Sequence, residues 1–558
     1  MRKFSFLCVL MVVLGMLPVL SISGHSAVTA LVQEAYAESE NSGGSGTAQE
    51  NAAKESSAPA SETEAPAGSD KLVIATVAGK ALSTLVAGMS SVLFYEIFGF
   101  PFLVLWLVIG GVFFTVRLGF VNIRMFKHAV TVVAGKYDNK SDPGEVTHLK
   151  ALSAAVSGTV GLGNIAGVAV AVSMGGPGAV IWMVIAGMVG MSTKFAEVTM
   201  GHKYRKIDES GKVAGGAFYY LSEGLAKRNM PKFGKVLSII FAFACIGGAL
   251  GGGNMFQANQ TVTILTNTFS SLHKLDWLIA LVMAIGVGTV LIGGIKRIAT
   301  VAEAIVPLMA VLYVSACLVV IFVNIHHVPQ AFLEMVQGAF NFSAAGGGMV
   351  GAIIAGFRRA AFSNEAGLGS APIAHAAAKT KEPVREGCVA LLEPFIDTVV
   401  ICFMSGIVMT VTEVYTDKTL EGGVLMTSAA FATVVDWFPD VLSVSIGLFA
   451  FSTMITWSYY GERAWNYIFG KKVPVSLYHG LFCTMTFFGG VVNFGIVLDF
   501  SDLLILSMAI PNLIGLYIMS GEVREELRQY VTKLKIGAFD ANPMTQKEEM
   551  EQSQAKAM

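Results

Sequence analysis

Charged side chains are scarce in this chain: Asp, Glu, Lys and Arg make up only 14% of its 558 residues. Soluble globular domains carry about a quarter. Hydrophobic residues reach 54%, which excludes an ordinary soluble protein. The formal net charge is −1, so no basic excess points to a nucleic-acid partner. The composition therefore predicts a protein that is mostly embedded in a lipid bilayer.

Cysteine is also rare, with six residues that all lie inside apolar runs. Their spacing matches neither a zinc site nor a disulfide framework, so we interpret them as small hydrophobic side chains. The sequence lacks a His-rich ligand cluster, a nucleotide-binding loop and a nucleophile motif, which argues against an enzyme and against an ATP-driven pump. We therefore expect no catalytic residue and no bound cofactor.

The N-terminal part of the chain differs from the rest. Arg2 and Lys3 precede an apolar run, and a small-x-small cleavage site follows at 35–37, so residues 1–37 are predicted to be a signal-peptide-like leader. The alternative is an uncleaved first membrane helix. Residues 38–75 are acidic and rich in Ser, Gly and Ala, so they offer little to bury and are predicted to be a disordered tail.

Long apolar runs fill residues 76–520, which we predict to be a transmembrane domain, with residues 521–558 as a C-terminal tail. A helix needs about 20 apolar residues to cross a bilayer. A helix near 76–97 is amphipathic and is expected at the surface. The eleven runs predicted to span the membrane are 99–116, 152–175, 178–201, 236–258, 276–294, 303–324, 348–376, 386–411, 440–461, 476–495 and 501–519. The predicted fold class is therefore an all-α polytopic membrane protein.

Basic residues are almost missing from alternate loops of this topology. If the N-terminus lies outside, the outward loops between helices hold only Lys274 and Lys418, and the inward loops hold nearly all the others. This is the asymmetry described by the positive-inside rule. It predicts a multi-pass inner-membrane protein with a periplasmic N-terminus and a cytoplasmic C-terminus.

Two of the predicted spans are interrupted by glycine near mid-membrane. The span 152–175 contains Gly-Leu-Gly-Asn at 161–164, and the span 348–376 contains Phe-Ser-Asn-Glu-Ala-Gly-Leu-Gly at 362–369. Each glycine costs a helix close to ~1 kcal/mol relative to alanine. Paired interruptions in two inverted halves indicate a transporter binding site. The alternative is that the glycines only allow close helix packing.

Five motifs resemble the alanine or glycine:cation symporter family. They are GLGNIAGV at 161–168, GGPG at 175–178, KFAE at 194–197, FSNEAG at 362–367 and WSYYGE at 457–462. The resemblance covers about residues 76–530. It implies a leucine-transporter-like (LeuT-like) fold of two five-helix inverted repeats, about 152–324 and 348–519, preceded by one extra transmembrane helix. It also implies Na⁺- or H⁺-driven uptake of alanine, glycine or a close relative.

The same resemblance implies a substrate site between the broken helices. In it, unwound backbone would bind the amino-acid carboxylate, an amide would bind either end of the ligand, and aromatic rings would limit its size. The alternatives are that Gln257 bonds a neighbouring helix and that Phe362 is an ordinary core residue. The substrate residues implied are Gly161, Gly163, Asn164, Gln257, Phe362, Thr453 and Trp457.

A sodium site is implied as well. The carbonyls of Ser157 and Val160 and the hydroxyls of Ser452 and Thr453 would supply the oxygen ligands that a hard cation prefers. The alternative is that these hydroxyls bond only to their own helix. Gly158 stands where related transporters have an Asn, which argues against a second sodium site.

Ionisable side chains at membrane depth are functional candidates because they are costly there. Glu365 and Asp397 are candidate partners for Arg358 or Arg359, as a gate or support, and the sequence does not choose among these pairings. Lys194 is predicted to form a structural pair with Glu197, one turn away. The six candidates are Glu303, Arg358, Arg359, Glu365, Glu393 and Asp397.

The sequence thus predicts symport of a small amino acid, alanine or glycine, with Na⁺ across the inner membrane. The expected partners are the amino acid, the sodium ion and the lipid bilayer, with no nucleic acid. A symporter for another small solute and coupling to H⁺ remain open alternatives. A passive channel or a membrane sensor is disfavoured, because neither pore-lining repeats nor a soluble signalling domain is present.

Overall fold

A computed structural model describes residues 73–539, except 98, 140, 210, 293, 342–347, 418 and 421. The predicted leader (1–37), the predicted tail as far as residue 72 and the chain after residue 539 lie outside the described residues. Regular structure in the described part is almost entirely α-helical, as predicted.

The first half of the described chain contains twelve α-helices. They are α1 (Val73–Leu93), α2 (Phe102–Arg117), α3 (Val121–Arg124), α4 (Phe126–Val133), α5 (His148–Thr159), α6 (Val168–Gly175), α7 (Gly178–Lys203), α8 (Ala217–Tyr219), α9 (Pro231–Leu250), α10 (Phe256–Thr268), α11 (Asp276–Leu291) and α12 (Gly294–Val323). Short strands form two antiparallel hairpins in the loops, β1 (Glu96–Ile97) with β2 (Phe100–Pro101) and β3 (Lys206–Ile207) with β4 (Val213–Ala214).

The second half of the described chain contains eleven more α-helices. They are α13 (Val328–Phe340), α14 (Gly348–Asn364), α15 (Ala371–His375), α16 (Pro383–Ala390), α17 (Leu392–Pro394), α18 (Phe403–Val411), α19 (Gly423–Ala432), α20 (Phe438–Phe469), α21 (Val475–Val491), α22 (Phe494–Ser507) and α23 (Ala509–Lys535). Turns of 3₁₀-helix occur at Ser270–Leu272, Val414–Thr416 and Gly470–Lys472.

Six helical segments of the described chain are long and apolar enough to cross a membrane, and the bent pair α5 and α6 would make a seventh. The six are Gly178–Lys203, Pro231–Thr268, Ile305–Val323, Pro383–Val411, Phe438–Lys472 and Phe494–Lys535. Shorter apolar helices, among them α2, α11 and α21, lie at other predicted spans. The protein is therefore a multi-pass helical membrane protein, and the count of eleven spans stays a prediction.

Helix α23 continues without a break past residue 520, where the C-terminal tail was predicted to begin. It buries Val523, Leu527 and Tyr530 against the body of the protein. The Glu522 carboxylate on the same helix pairs with Arg228 at 2.7 Å. The first part of the predicted tail is therefore packed structure.

In the described part of the chain, four π-helical segments interrupt the α-helices: Gly163–Gly167, Tyr220–Gly224, Gly251–Met255 and Phe395–Cys402. A π segment shifts the hydrogen-bond register and often marks a functional site. The first, third and fourth converge on the predicted substrate site described below. This is the feature of the fold that positions the site.

Bare glycine backbone allows helices α14 and α7 to cross closely. A Cβ atom added to Gly356 would lie 2.6 Å from the carbonyl oxygen of Ala179 and 2.7 Å from Cβ of Trp182. These neighbours belong to the backbone and stem of α7, so they have little freedom to move. The crossing therefore depends on glycine.

We expect Gly356→Ala to lower the free energy of unfolding by about 1–3 kcal/mol, because the new methyl overpacks the α14–α7 crossing. Gly447→Ala is the matched control, since nothing lies within 4 Å of a Cβ there. That control should be neutral or stabilising by about 1 kcal/mol. Thermal unfolding of both variants in detergent measures the difference, and equal melting temperatures would contradict the packing argument.

Candidate functional site

The first interrupted span breaks at the predicted glycines. Helix α5 ends at Thr159, and Val160 leaves the helical conformation with a ψ of 94°. The chain resumes in the π segment Gly163–Gly167 and α6, bent by 55° from α5. The N–H of Gly161 donates to Oδ1 of Asn164 at 2.9 Å, so this side chain caps a backbone group that the break leaves free.

The second interrupted span breaks after α14. Between Asn364 and the start of α15, the backbone φ angle is positive at Glu365 (57°), Gly367 (91°) and Gly369 (81°). Positive φ is common for glycine but unusual for other residues, which makes Glu365 a strained position. Both glycine clusters that the sequence singles out are thus real interruptions of helices.

Gln257 on α10 links the first break to the neighbouring π segment. Its Oε1 accepts a hydrogen bond from the N–H of Leu162 at 3.2 Å, and its Nε2 donates to the carbonyl of Gly252 at 3.0 Å. The amide thus bonds the unwound backbone of the break and its own helical segment, and neither its predicted role nor the alternative is decided. The same bonds hold the amide beside backbone N–H groups that suit a carboxylate.

The glycines of the first break lie where a side chain would not fit. A Cβ on Gly161 would collide with Oγ1 of Thr453, and one on Gly163 would lie 3.1 Å from Cα of Ser363. The unwound segment therefore packs through bare backbone against α20 on one side and α14 on the other.

The predicted aromatic residues both pack on the π segment Gly251–Met255. A Cβ on Gly252 would lie 3.2 Å from Cε2 of Phe362, and one on Gly253 would overlap the ring of Trp457. The indole Nε1 of Trp457 also donates to Oε1 of Glu365 at 3.1 Å. The seven predicted substrate residues thus form one buried cluster, although their role in binding stays a prediction.

The predicted sodium ligands lie beside this cluster. The Ser157 and Ser452 hydroxyl oxygens are 2.6 Å apart, and Oγ1 of Thr453 donates to the carbonyl of Ser157 at 3.4 Å. Oγ1 of Thr456 lies 3.0 Å from Oγ of Ser157. These bonds join α5 to α20, so the hydroxyls do not bond only to their own helix. Val160, the fourth predicted ligand, is the residue at which α5 opens.

These groups are oxygen donors without formal charge, which suit one hard cation such as Na⁺. Among the described residues, no group of three His, Cys, Asp or Glu side chains is placed to hold a metal ion. A cation bound beside the break would therefore rest on hydroxyl and carbonyl oxygens.

A buried carboxylate, Asp397, connects the two broken helices. Its Oδ1 accepts from Nδ2 of Asn164 at 2.6 Å, and its Oδ2 accepts from Oγ of Ser363 at 2.8 Å. The hydroxyl of Thr398 donates to Oδ2 as well. Sequence reasoning marked Asp397 as a charge at membrane depth and as a candidate partner for an arginine, and did not link it to Asn164. Its contact with Asn164 spans 233 positions of the chain, so no local pattern could show it.

The two membrane arginines pair with a carboxylate that the sequence analysis did not name. Nη2 of Arg358 lies 2.7 Å from Oδ2 of Asp502, and Arg359 contacts the same oxygen. Neither pairs with Glu365 or Asp397. Asp502 lies on α22, in a run that the sequence presents as an ordinary apolar span. The two guanidinium groups share its carboxylate.

The predicted pair of Lys194 with Glu197 is also replaced. Nζ of Lys194 lies 3.1 Å from Oε2 of Glu393, which is a full span away in sequence. Oε1 of Glu197 instead accepts from Nδ2 of Asn512 at 2.7 Å. All of these side chains are buried, so each charge takes the partner with the better geometry and not the nearer one in sequence.

The sodium:alanine symporter family matches residues 80–544 of the chain, which is most of its length. This chain belongs to the sodium:alanine symporter family. The resemblance inferred from the five motifs is confirmed. The protein is therefore a transporter and not an enzyme.

Two relatives illustrate the range of the family. The sodium/alanine symporter AgcS of Methanococcus maripaludis is 40% identical over 434 residues, which cover 77% of this chain and 94% of that protein. The probable sodium/glutamine symporter GlnT of Bacillus subtilis is 35% identical over 436 residues, covering 78% and 89%. Among solved structures, MhsT in complex with L-phenylalanine is 16% identical, with a TM-score of 0.42 over 67% of this chain and 98% of that one.

The hydrogen bond from Trp457 to Glu365 should contribute measurably to the stability of the protein. Trp457→Phe removes a donor from a buried carboxylate, so we expect a loss of about 1–3 kcal/mol in the free energy of unfolding from that bond. Trp465→Phe is the matched control, because Nε1 of Trp465 is buried with no hydrogen-bond partner among the described residues. Thermal unfolding of both variants isolates the bond. If Trp465→Phe costs as much, the bond contributes nothing.

Proposed function

We propose that this chain couples the uptake of a small amino acid, alanine or glycine, to Na⁺ across the inner membrane by alternating access. The observation that carries the proposal is the position of Thr453. Its hydroxyl faces Gly161 in the predicted substrate cluster and donates to the carbonyl of Ser157 in the predicted sodium cluster. One side chain therefore belongs to both sites, and occupancy of either site would affect the other.

The amino-acid carboxylate would bind at the first break. There the N–H groups of Gly161 and Leu162 donate to the side chains of Asn164 and Gln257. A carboxylate is a stronger acceptor than either amide, since charged hydrogen bonds are about twice as strong as neutral ones. Substrate would therefore replace two internal acceptors, and the Gln257 amide would turn to the ligand.

The size of the substrate would be limited by Trp457 and Phe362, which lie against the same π segment. An extra methylene in an apolar pocket discriminates by only about 1–3 kcal/mol, so exclusion of larger side chains requires steric contact. The relative AgcS, a sodium/alanine symporter, supports alanine. The relative GlnT, a probable sodium/glutamine symporter, makes a larger amino acid the runner-up substrate.

The architecture we propose is LeuT-like, with inverted repeats over about 152–324 and 348–519 and one extra transmembrane helix before them. Two observations support it. The breaks at 160–162 and 365–370 occur in corresponding spans of the two halves. Basic residues also collect in the loops on one predicted side, which supports a periplasmic N-terminus and a cytoplasmic C-terminus.

Uptake of labelled alanine and glycine into proteoliposomes tests the function. We expect an inward Na⁺ gradient to drive accumulation of the amino acid. We expect Gln257→Ala to abolish this accumulation, because the variant lacks the side-chain amide that would contact the substrate. Gln260→Ala is the control, since its amide accepts from the N–H of Val424 and lies outside the predicted site. Accumulation driven only by protons would overturn the sodium assignment, and no accumulation under any gradient would favour another solute.

The sodium site is tested separately. We expect Ser452→Ala to raise the Na⁺ concentration for half-maximal uptake roughly tenfold, because a lost oxygen contact to a charge is worth about 1.5 kcal/mol. Ser458→Ala is the control on the same helix, since Oγ of Ser458 bonds its own helix at the carbonyl of Ile455. An unchanged sodium dependence in Ser452→Ala would remove this residue from the site.

A further inference from the structure

A continuous row of buried titratable side chains leads from the core toward an aqueous surface. Nζ of Lys194 lies 3.1 Å from Oε2 of Glu393, and Oε1 of that carboxylate lies 2.6 Å from Nε2 of His375. Nδ1 of His375 lies 2.5 Å from Oε1 of Glu386. The other oxygen of Glu386 contacts Nδ1 of His148. We call these five residues the His–Glu row.

The five members come from five helices: α7, α17, α15, α16 and α5. Four of them are completely buried, and His148 is 1% exposed. At the outer end of the row, Nε2 of His148 has no hydrogen-bond partner among the described residues. This atom lies 4.0 Å from Oδ1 of Asp138. The Asp138 side chain is 39% exposed, so the row ends one step from water.

The alternation of imidazole and carboxylate is chemically distinctive. A neutral imidazole takes up a proton on one ring nitrogen and releases one from the other, and a carboxylate accepts a proton on either oxygen and donates it once protonated. Both ring nitrogens of His375 face carboxylates, and both oxygens of Glu386 face imidazoles. A buried ion pair that only stabilised the fold would not need this unbroken alternation, which uses both polar atoms of each central residue.

We propose that the His–Glu row is a proton relay between the aqueous surface at Asp138 and the buried region beside the substrate cluster. The protein then takes up or releases a proton on that side during its transport cycle. This inference rests on the proposed symport and adds a second ion to it. The surface lies on the side predicted to be cytoplasmic.

The transfer is balanced as follows. A proton from water binds Nε2 of His148, and the proton on Nδ1 passes to Glu386. Glu386, a carboxylate at the start, takes up that proton, and rotation of its carboxyl group brings the proton to Nδ1 of His375, whose own Nε2 proton passes to Glu393. One proton has then moved from water to Glu393, and each imidazole carries its proton on the opposite nitrogen. The reverse sequence restores both rings and returns the proton to water.

The inner end of the row adjoins the transport machinery. The Lys194 ammonium interacts electrostatically with Glu365, whose carboxylate accepts the indole hydrogen bond of Trp457. Protonation would neutralise Glu393 and remove the ion-pair partner of Lys194. The Lys194 ammonium would then interact more strongly with the Glu365 carboxylate. A proton at Glu393 therefore changes the electrostatics next to the predicted pocket wall.

Other charged groups face the row from the elements packed around it. They are Glu197, Glu365 and Asp397 near Lys194, and His202 and Arg205 near Glu386. Arg205 donates to the carbonyls of Ala378 and Thr380 on the loop after α15. Within the described residues, none of these groups lies between two members of the His–Glu row.

Proteoliposomes loaded with a fluorescent pH indicator test the relay. Alanine is added with Na⁺ and without a membrane potential, and proton flux is followed together with alanine counterflow. We expect alanine-dependent proton flux in the unmodified protein and its loss in His148→Gln and His375→Gln. Glutamine preserves polar contacts but cannot carry a proton. Counterflow, which needs no net ion movement, should persist.

His128→Gln is the matched control. His128 lies on α4 outside the row, bonds the hydroxyl of Tyr530 at 2.9 Å and has a pKa lowered to about 4, chiefly by burial. Proton flux in this variant should equal that of the unmodified protein. Flux retained in both row variants overturns the relay, as does flux lost equally in the control.

The two proposals fail in different ways. Counterflow without proton flux in the unmodified protein overturns the relay and keeps the symport. Absence of counterflow in the unmodified protein overturns the symport itself. If a row variant transports nothing, proton exchange is measured on detergent-solubilised, monodisperse protein when alanine is added with Na⁺. Proton exchange that persists in His148→Gln overturns the relay. Proton exchange that is lost in His148→Gln but retained in His128→Gln supports the relay.

Discussion

The need to satisfy backbone groups inside a membrane governs this structure. An unbroken helix meets that need by itself, but a break at membrane depth leaves backbone polar groups that lipid cannot satisfy and that neighbouring protein groups must. At Gly161 and Leu162 the solution is two side-chain amides, those of Asn164 and Gln257. The polar residues around the site follow from that requirement, since each amide must in turn be held by further partners.

Those further partners connect the halves of the protein. Asn164 reaches Asp397, which also accepts from Ser363 on the second broken helix. A single carboxylate therefore bonds both broken helices. The hydroxyl contacts between α5 and α20 add a second connection, at Ser157 and Ser452. The two breaks and α20 are thereby joined by short-range contacts.

Much of the fold and part of the site could be predicted from sequence, for physical reasons. Apolar runs indicate burial in lipid, and glycine clusters inside them indicate breaks in helices. The positions of the helices and of both interruptions could therefore be predicted from the sequence. Family resemblance then placed residues such as Gln257 and Thr453 near one another. The partners of the buried charged side chains could not be predicted from the sequence. The rule that residues three or four apart interact favoured Lys194 with Glu197, but burial selected Glu393, 199 positions away. The same holds for Asp502, which contacts Arg359 across 143 positions.

The packed beginning of the C-terminal segment affects how this protein can be handled. Helix α23 carries its buried face well beyond the last apolar run, and Glu522 meets Arg228 from the loop after α8. A reporter domain joined near residue 520 would separate that face from its neighbours and disturb the protein whose topology it was meant to reveal. Joined after Lys535, where the helix ends, the same reporter would leave those contacts in place.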